Sequence, residues 1–157
     1  VRMSDDDEIR VPILPLEVVF TVSDGSSFSA TIFLPPNSPH HDGPETLDEF
    51  LNAANPFIPV RCDGAFLLLG SDSILVAKAT PEAPLLSRLP GRVTANVYLV
   101  RLHLENGGCV EGALSSNFPP ESSRVSDAFN QSGKFVPIES SEAVYLVRKD
   151  RVTRVEI

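Results

Sequence analysis

Leu16, Val18, Phe20 and Val22 alternate with Glu17, Val19, Thr21 and Ser23, a period of two that puts the first set on one face of a strand. Asp24-Gly25 interrupts the alternation before Phe28, Ala30 and Ile32 resume it, which predicts a β-hairpin with a turn tolerant of positive φ. The phrase returns further along the chain. Tyr98, Val100, Leu102 and Leu104 alternate with Leu99, Arg101, His103 and Glu105, and Asn106-Gly107 leads into Val110, Gly112 and Leu114. After each hairpin comes a loop rich in proline and serine, 35–44 and 117–123. A short helix is then predicted over about Thr46 to Ala54 and again over Val125 to Ser132. Thr46 with Glu49 fits a capping box, Ser123 is placed to cap the second helix, and Asn55 and Gly133 are placed to end them. Phe57-Ile58-Pro59-Val60 and Phe135-Val136-Pro137-Ile138 read as third strands, where the proline suggests an edge or a bulge. Ala65 to Leu69 with Ile74 to Ala79, and Ala143 to Val147 with Val152 to Ile157, close the two series.

These are two copies of one pattern. Residues 48–79 align without a gap onto 126–157, with Asn52, Phe57, Pro59, Ala65, Leu68 and Asp72 recurring as Asn130, Phe135, Pro137, Ala143, Leu146 and Asp150. All 13 apolar residues of the second stretch fall opposite one of the 18 in the first, where random placement would match about 7. The expected organisation is an acidic flexible tail (1–10), a first β unit (11–79), a proline-rich linker (80–91) and a second β unit (92–157). Leu85, Leu86 and Leu89 could strap the linker over one unit. Val19, Leu75 and Val76 stand opposite polar residues of the second unit, so they are expected to pack the units together as a pseudo-twofold pair.

A chain of 157 residues, 42% apolar with 14 prolines between short runs of Val, Leu, Ile and Phe, suits two small β units better than one large helical domain. No apolar run approaches the ~20 residues of a membrane-spanning helix, and the first residues are acidic rather than leader-like; a cytoplasmic protein is expected. Residues 1–80 carry 12 acids and 4 bases, and 81–157 carry 9 of each, so the whole excess of -8 lies in the first half. That imbalance disfavours nucleic acid and anionic membrane as partners of the first unit. Cys62 and Cys109 have serines at the matching positions of the other copy, Ser140 and Ser27, so two free buried thiols are expected rather than a disulfide.

The chemistry of catalysis is sparse. His40 and His41 beside Asp42 sit in a Pro-Gly loop, and His103 lies between Arg101 and Glu105 on a polar strand face, where a cross-strand ladder explains it. No nucleophile elbow, phosphate loop or Cys-x-x-Cys occurs, so neither catalytic residue, metal nor cofactor is predicted. The one basic concentration is Arg148, Lys149, Arg151 and Arg154 around the last turn, where the first unit has Gly70, Ser71, Ser73 and Val76. These four are the candidate partner- or anion-binding residues.

The phrase Leu102, Leu104, Asn106-Gly107, Val110, Gly112, Leu114 resembles the first signature of Sm-like proteins, and Val147-Arg148-Lys149-Asp150-Arg151-Val152 is similar to a loose form of their second. The resemblance implies small SH3/Sm-like β-barrel units, here each with a short inserted helix, and RNA as a ligand of their loops. Arg88 and Arg92 resemble the arginine motif of PilZ domains, which bind cyclic dinucleotides, although residues 106–111 lack the serine and glycine of the companion motif. The segment containing Phe50-Leu51-Asn52, Pro56-Phe57 and Pro59 is similar to one in uncharacterised bacterial proteins, which implies no function. The expected function is a non-catalytic protein-interaction or regulatory adaptor with a protein partner. The alternative is RNA or cyclic-dinucleotide binding through the basic residues of the second unit. Edge strands near Pro59 and Pro137 offer a route to a homo-oligomer.

Overall fold

The computed structural model describes residues 14–39, 42–43, 45–53, 55–80, 96–116, 125–130 and 133–157. The acidic tail, the linker beyond Thr80, His40, His41, Arg88, Arg92 and Ser123 lie outside them. The protein is mainly β, the described residues forming ten antiparallel strands in one sheet. The first half supplies β1 (Leu14–Val22), β2 (Ser27–Leu34), α1 (Leu47–Asn52), β3 (Phe57–Cys62), β4 (Ala65–Gly70) and β5 (Ile74–Ala79). The second supplies β6 (Asn96–Leu104), β7 (Cys109–Ser116), α2 (Val125–Asn130), β8 (Phe135–Glu139), β9 (Val144–Arg148) and β10 (Val152–Glu156). A 3-10 turn precedes the last strand of each half, Ser71–Ser73 and Lys149–Arg151.

Both predicted hairpins form. β1 pairs with β2 from Leu14↔Leu34 to Thr21↔Ser27, and β6 pairs with β7 from Asn96↔Ser116 to His103↔Cys109. Gly25 (φ 92°) and Gly107 (φ 90°) take the left-handed step at their turns, which costs a glycine nothing. The predicted helices also form; the first is shorter than expected, its C-cap being Ala53 (φ -106°, ψ 10°) rather than Asn55, and the second is described over Val125–Asn130. The Thr46 N–H donates to Glu49 Oε1 at 2.9 Å, the returning arm of a capping box, and Leu47 and Leu51 are buried beneath it.

The prolines of the third strands do not mark sheet edges. β3 lies between β2 and β4, and β8 between β7 and β9. Each nevertheless meets the preceding hairpin at a narrow seam, registered only at Thr31↔Arg61 and at Ala113↔Glu139. A missing N–H at Pro59 or Pro137 is tolerated outside that register. At the second seam the backbones approach closely: a Cβ on Gly112 would stand 2.6 Å from the Glu139 carbonyl oxygen.

The strand order is β10-β6-β7-β8-β9-β5-β1-β2-β3-β4, so each half contributes the same sequence of last, first, second, third, fourth. The halves meet where β9 pairs with β5, in the register Val76↔Val147, Ala77↔Leu146, Lys78↔Tyr145 and Ala79↔Val144. This overturns the expected pseudo-twofold pair. A twofold relation requires each contact to be reciprocated. Here the fourth strand of the second half meets the fifth strand of the first while β4 and β10, the reciprocal pair, lie at opposite ends of the sheet, so the halves are joined head to tail. Leu75 and Val76 are buried at this joint as expected, but Val19 remains exposed.

The cores interlock across the joint. Phe135, Val144 and Leu146 of the second half complete the core around Phe20, Ile32, Leu34, Leu47 and Leu51, while Leu75 and Val76 of the first half enter the core around Leu102, Leu114 and Ile138. At about 1.5–3 kcal/mol for each fully buried aliphatic or phenylalanine side chain, this exchange makes the joint a large share of what holds the sheet as one body.

Candidate functional site

The joint and its vacant repeat form the most distinctive region of the molecule. On β9 and the start of β8, Phe135, Val144 and Leu146 are 6%, 4% and 0% exposed. Their repeat counterparts on β3 and β4, Phe57, Phe66 and Leu68, are 62%, 68% and 67% exposed. The chemistry of the strands is the same and the neighbours differ. β9 has β5 against its outer edge, while β4 ends the sheet, with no strand beyond it among the described residues.

Cross-strand pairing sets Arg61 opposite Phe66, Pro59 opposite Leu68 and Phe57 opposite Gly70, so Phe57, Pro59, Arg61, Phe66 and Leu68 share one face. Phe33 extends it, its ring 6.1 Å from that of Phe66, with the Arg61 guanidinium 5.3 Å over it. Asp63 (φ 52°) and Gly64 (φ 81°) turn β3 into β4. β4 itself carries no charge and no proline (Ala65-Phe66-Leu67-Leu68-Leu69-Gly70). It therefore lacks the usual devices that keep a free edge from pairing.

The covered joint shows what such an edge receives. Arg148 is buried, although sequence pattern grouped it with the anion-binding candidates. Its Nε donates to the Ile74 carbonyl at 2.7 Å, a second guanidinium N–H donates to the Ser71 carbonyl, and its plane lies 4.7 Å over the Phe135 ring. Burial holds its pKa below the ordinary value, and the charges of Asp150 and Asp72 offset only part of that fall. Asn52 at the end of α1 reaches across the joint as well. Its Oδ1 accepts from the backbone N–H of Lys134 at 2.7 Å and of Phe135 at 2.9 Å. Lys78 completes the contact with its ammonium 5.9 Å from the Tyr145 ring centroid.

The other three basic candidates are engaged separately. Arg151 pairs with Glu105 at 2.6 Å, and this partner raises its pKa. Lys149 starts the 3-10 turn, its N–H donating to the Lys134 carbonyl at 2.9 Å, and partial burial lowers its ammonium pKa. Arg154 lies 3.9 Å from Glu156 on β10. Its neighbours there form the cross-strand ladder expected around His103. Arg101 pairs with Glu111 and lies 3.7 Å from Glu156, and His103 Nε2 is 3.1 Å from Glu156 but off the hydrogen-bonding direction.

Among the described residues no group of three or more His, Cys, Asp or Glu side chains is placed to hold a metal, and no helix is long and apolar enough to cross a membrane. Both cysteines are free, as expected, but Cys62 is only half-buried and Cys109 is exposed. The expected burial fails because both lie at the turn ends of their hairpins, Cys62 opposite Ala65 and Cys109 opposite His103.

Sequence reasoning missed Phe57, Phe66 and Leu68 as site residues because their apolar pattern is that of a core strand. The usable signal was the repeat itself, in which Gly70 replaces Arg148 while Asn, Phe, Ala and Leu are kept. No family model, no curated protein and no solved structure matches this chain.

Proposed function

We propose that this chain is a non-catalytic protein-interaction module of adaptor type. Its working surface is the open β4 edge with the apolar face of Phe57, Phe66 and Leu68. The observation that carries this reading is the contrast with β9. The same strand in the other half is covered by a polypeptide strand, so an extended polypeptide adding to the sheet is the ligand that the edge is shaped for. Three exposed large apolar side chains beside unpaired backbone groups favour a partner that supplies both hydrogen bonds and apolar contact. The order of last, first, second, third and fourth strand in each half supports the finer reading of two tandem SH3/Sm-like barrel-like units, each with a short helix between its second and third strands.

The test compares wild type with Leu68→Asp, each immobilised and exposed to nuclease-treated extract. Wild type is expected to retain polypeptide in stoichiometric amount, and Leu68→Asp to lose at least tenfold. RNA retained before nuclease treatment and lost in Lys149→Ala with Arg154→Ala would overturn the reading in favour of nucleic-acid binding.

A further inference from the structure

We propose that the β4 edge is built for β10 of a second copy of this chain, joined head to tail in the register Arg154↔Leu69, Val155↔Leu68, Glu156↔Leu67 and Ile157↔Phe66. The inference rests on the interaction reading above and names its partner. The register follows from the internal joint: each position of β5 has its repeat counterpart on β10, and each position of β9 has its counterpart on β4. The two halves meet through unlike strands, so the unused strands, β10 at one end of the sheet and β4 at the other, are the same two kinds. One chain thus carries both sides of a contact it has already made once, and a contact of this type propagates to a further copy.

The residues kept identical between the halves support the same conclusion. Of the six, four belong to the joint. Asn52 accepts from the Phe135 N–H, Phe135 and Leu146 enter the first core, and Ala143 is buried next to Val144, the residue that pairs with Ala79. Their counterparts Asn130 at one end, and Phe57, Leu68 and Ala65 at the other, are all exposed. The β10 side is correspondingly unfinished: Ile74, Ala77 and Ala79 of β5 are buried, while Val152 and Val155 are half-buried and Ile157 is exposed. Apolar Val155 and Ile157 would meet apolar Leu68 and Phe66. The first half carries the whole acidic excess, and Arg154 stands exposed on β10.

The second joint lacks parts of the first. Gly70 stands where Arg148 clamps two carbonyls. Pro56 stands where Lys134 donates an N–H to Asn52. Association between copies is therefore reversible and set by concentration.

Sedimentation velocity of the purified chain from low micromolar to near-millimolar concentration tests the proposal. Two variants at exposed positions, Leu68→Asp and Ile157→Asp, each disable one edge. Wild type is expected to grow beyond a dimer with concentration, and each variant alone to stay monomeric. A mixture of the two variants should form a dimer and stop there, because each retains the edge that the other lacks. Far-UV circular dichroism identical to wild type verifies that the variants are folded. A wild type that stays monomeric throughout overturns the proposal, as does an Ile157→Asp chain that dimerises as well as wild type, since that indicates β4 pairing with β4. If wild type stays monomeric but still retains another polypeptide through Leu68, the second-copy assignment fails and the interaction reading stands. If both are lost, both fail.

Discussion

β9 and β4 are the same strand in two surroundings. Leu146 and Leu68 occupy equivalent positions, yet one is sealed in a core and the other faces solvent. What separates them is a neighbouring strand, present beside β9 and absent beside β4 among the described residues. Burial here belongs to the assembly of units, not to the unit, and stability should divide accordingly.

The comparison breaks most severely at its apolar centre. Leu146→Asp places an unpaired carboxylate in the first core and is expected to cost more than about 4 kcal/mol, enough to leave little folded chain. Leu68→Asp should shift the urea midpoint of the isolated chain by the equivalent of less than about 0.5 kcal/mol. Equal losses at the two positions would show that the strands share one environment.

Arg148 comes next. Arg148→Ala removes charged donors from two buried carbonyls and uncovers Phe135, an expected loss of about 2–4 kcal/mol by denaturant unfolding. The complementary change, Gly70→Arg, installs the missing clamp on β4. Gly70 has ordinary extended torsions (φ -66°, ψ 115°), and a Cβ there would lie 3.6 Å from Phe57 Cε1, so the substitution is accommodated. It should tighten association between copies about tenfold without raising the melting temperature of the dilute chain.

Asn52→Ala withdraws one acceptor from two backbone donors and should cost about 1–2 kcal/mol. Asn130→Ala, its repeat counterpart, should leave the dilute chain within about 0.5 kcal/mol of wild type and weaken only self-association.

The smallest effect distinguishes the two hairpin turns. Asp24 Oδ1 accepts from the Ser26 hydroxyl at 2.6 Å and the Ser26 N–H at 2.9 Å, and these bonds, the hydroxyl first, hold its pKa below the ordinary value. A carboxyl depressed in the folded state contributes stability above its unfolded pKa, about 4, and loses it as pH falls through the folded value. Asn106 makes the equivalent bond to the Gly108 N–H at 2.8 Å without a titrating group. Asp24→Asn should therefore flatten the acid limb of the stability profile below about pH 4, while Asn106→Asp should steepen it.

Much of this architecture was legible in the chain. The alternation around Asp24-Gly25 and Asn106-Gly107 located both hairpins, and the gapless alignment of 48–79 onto 126–157 located the equivalent elements of the two halves. The joint was not legible, because Phe66-Leu67-Leu68-Leu69 and Val144-Tyr145-Leu146-Val147 carry the same apolar signal and a pattern along one strand does not say which strand lies beside it. The same limit made Arg148 look like a surface cation: charge can be read from a sequence, depth cannot. Pro59 suggested an edge because proline lacks a ladder donor, yet β3 is interior and the gap falls where its seam with β2 carries no register.

That narrow seam has a dynamic consequence. Apart from Ile58, Val60 and Leu69 in the first core, the β3–β4 hairpin is fastened to β2 around Thr31↔Arg61 and has no described strand beyond β4, whereas β8–β9, with an equally narrow seam, is gripped on its far side by β5. The first hairpin can therefore swing open as a unit at a fraction of the global unfolding free energy. Its amides should exchange with deuterium as one early block in the dilute chain, long before those of its twin.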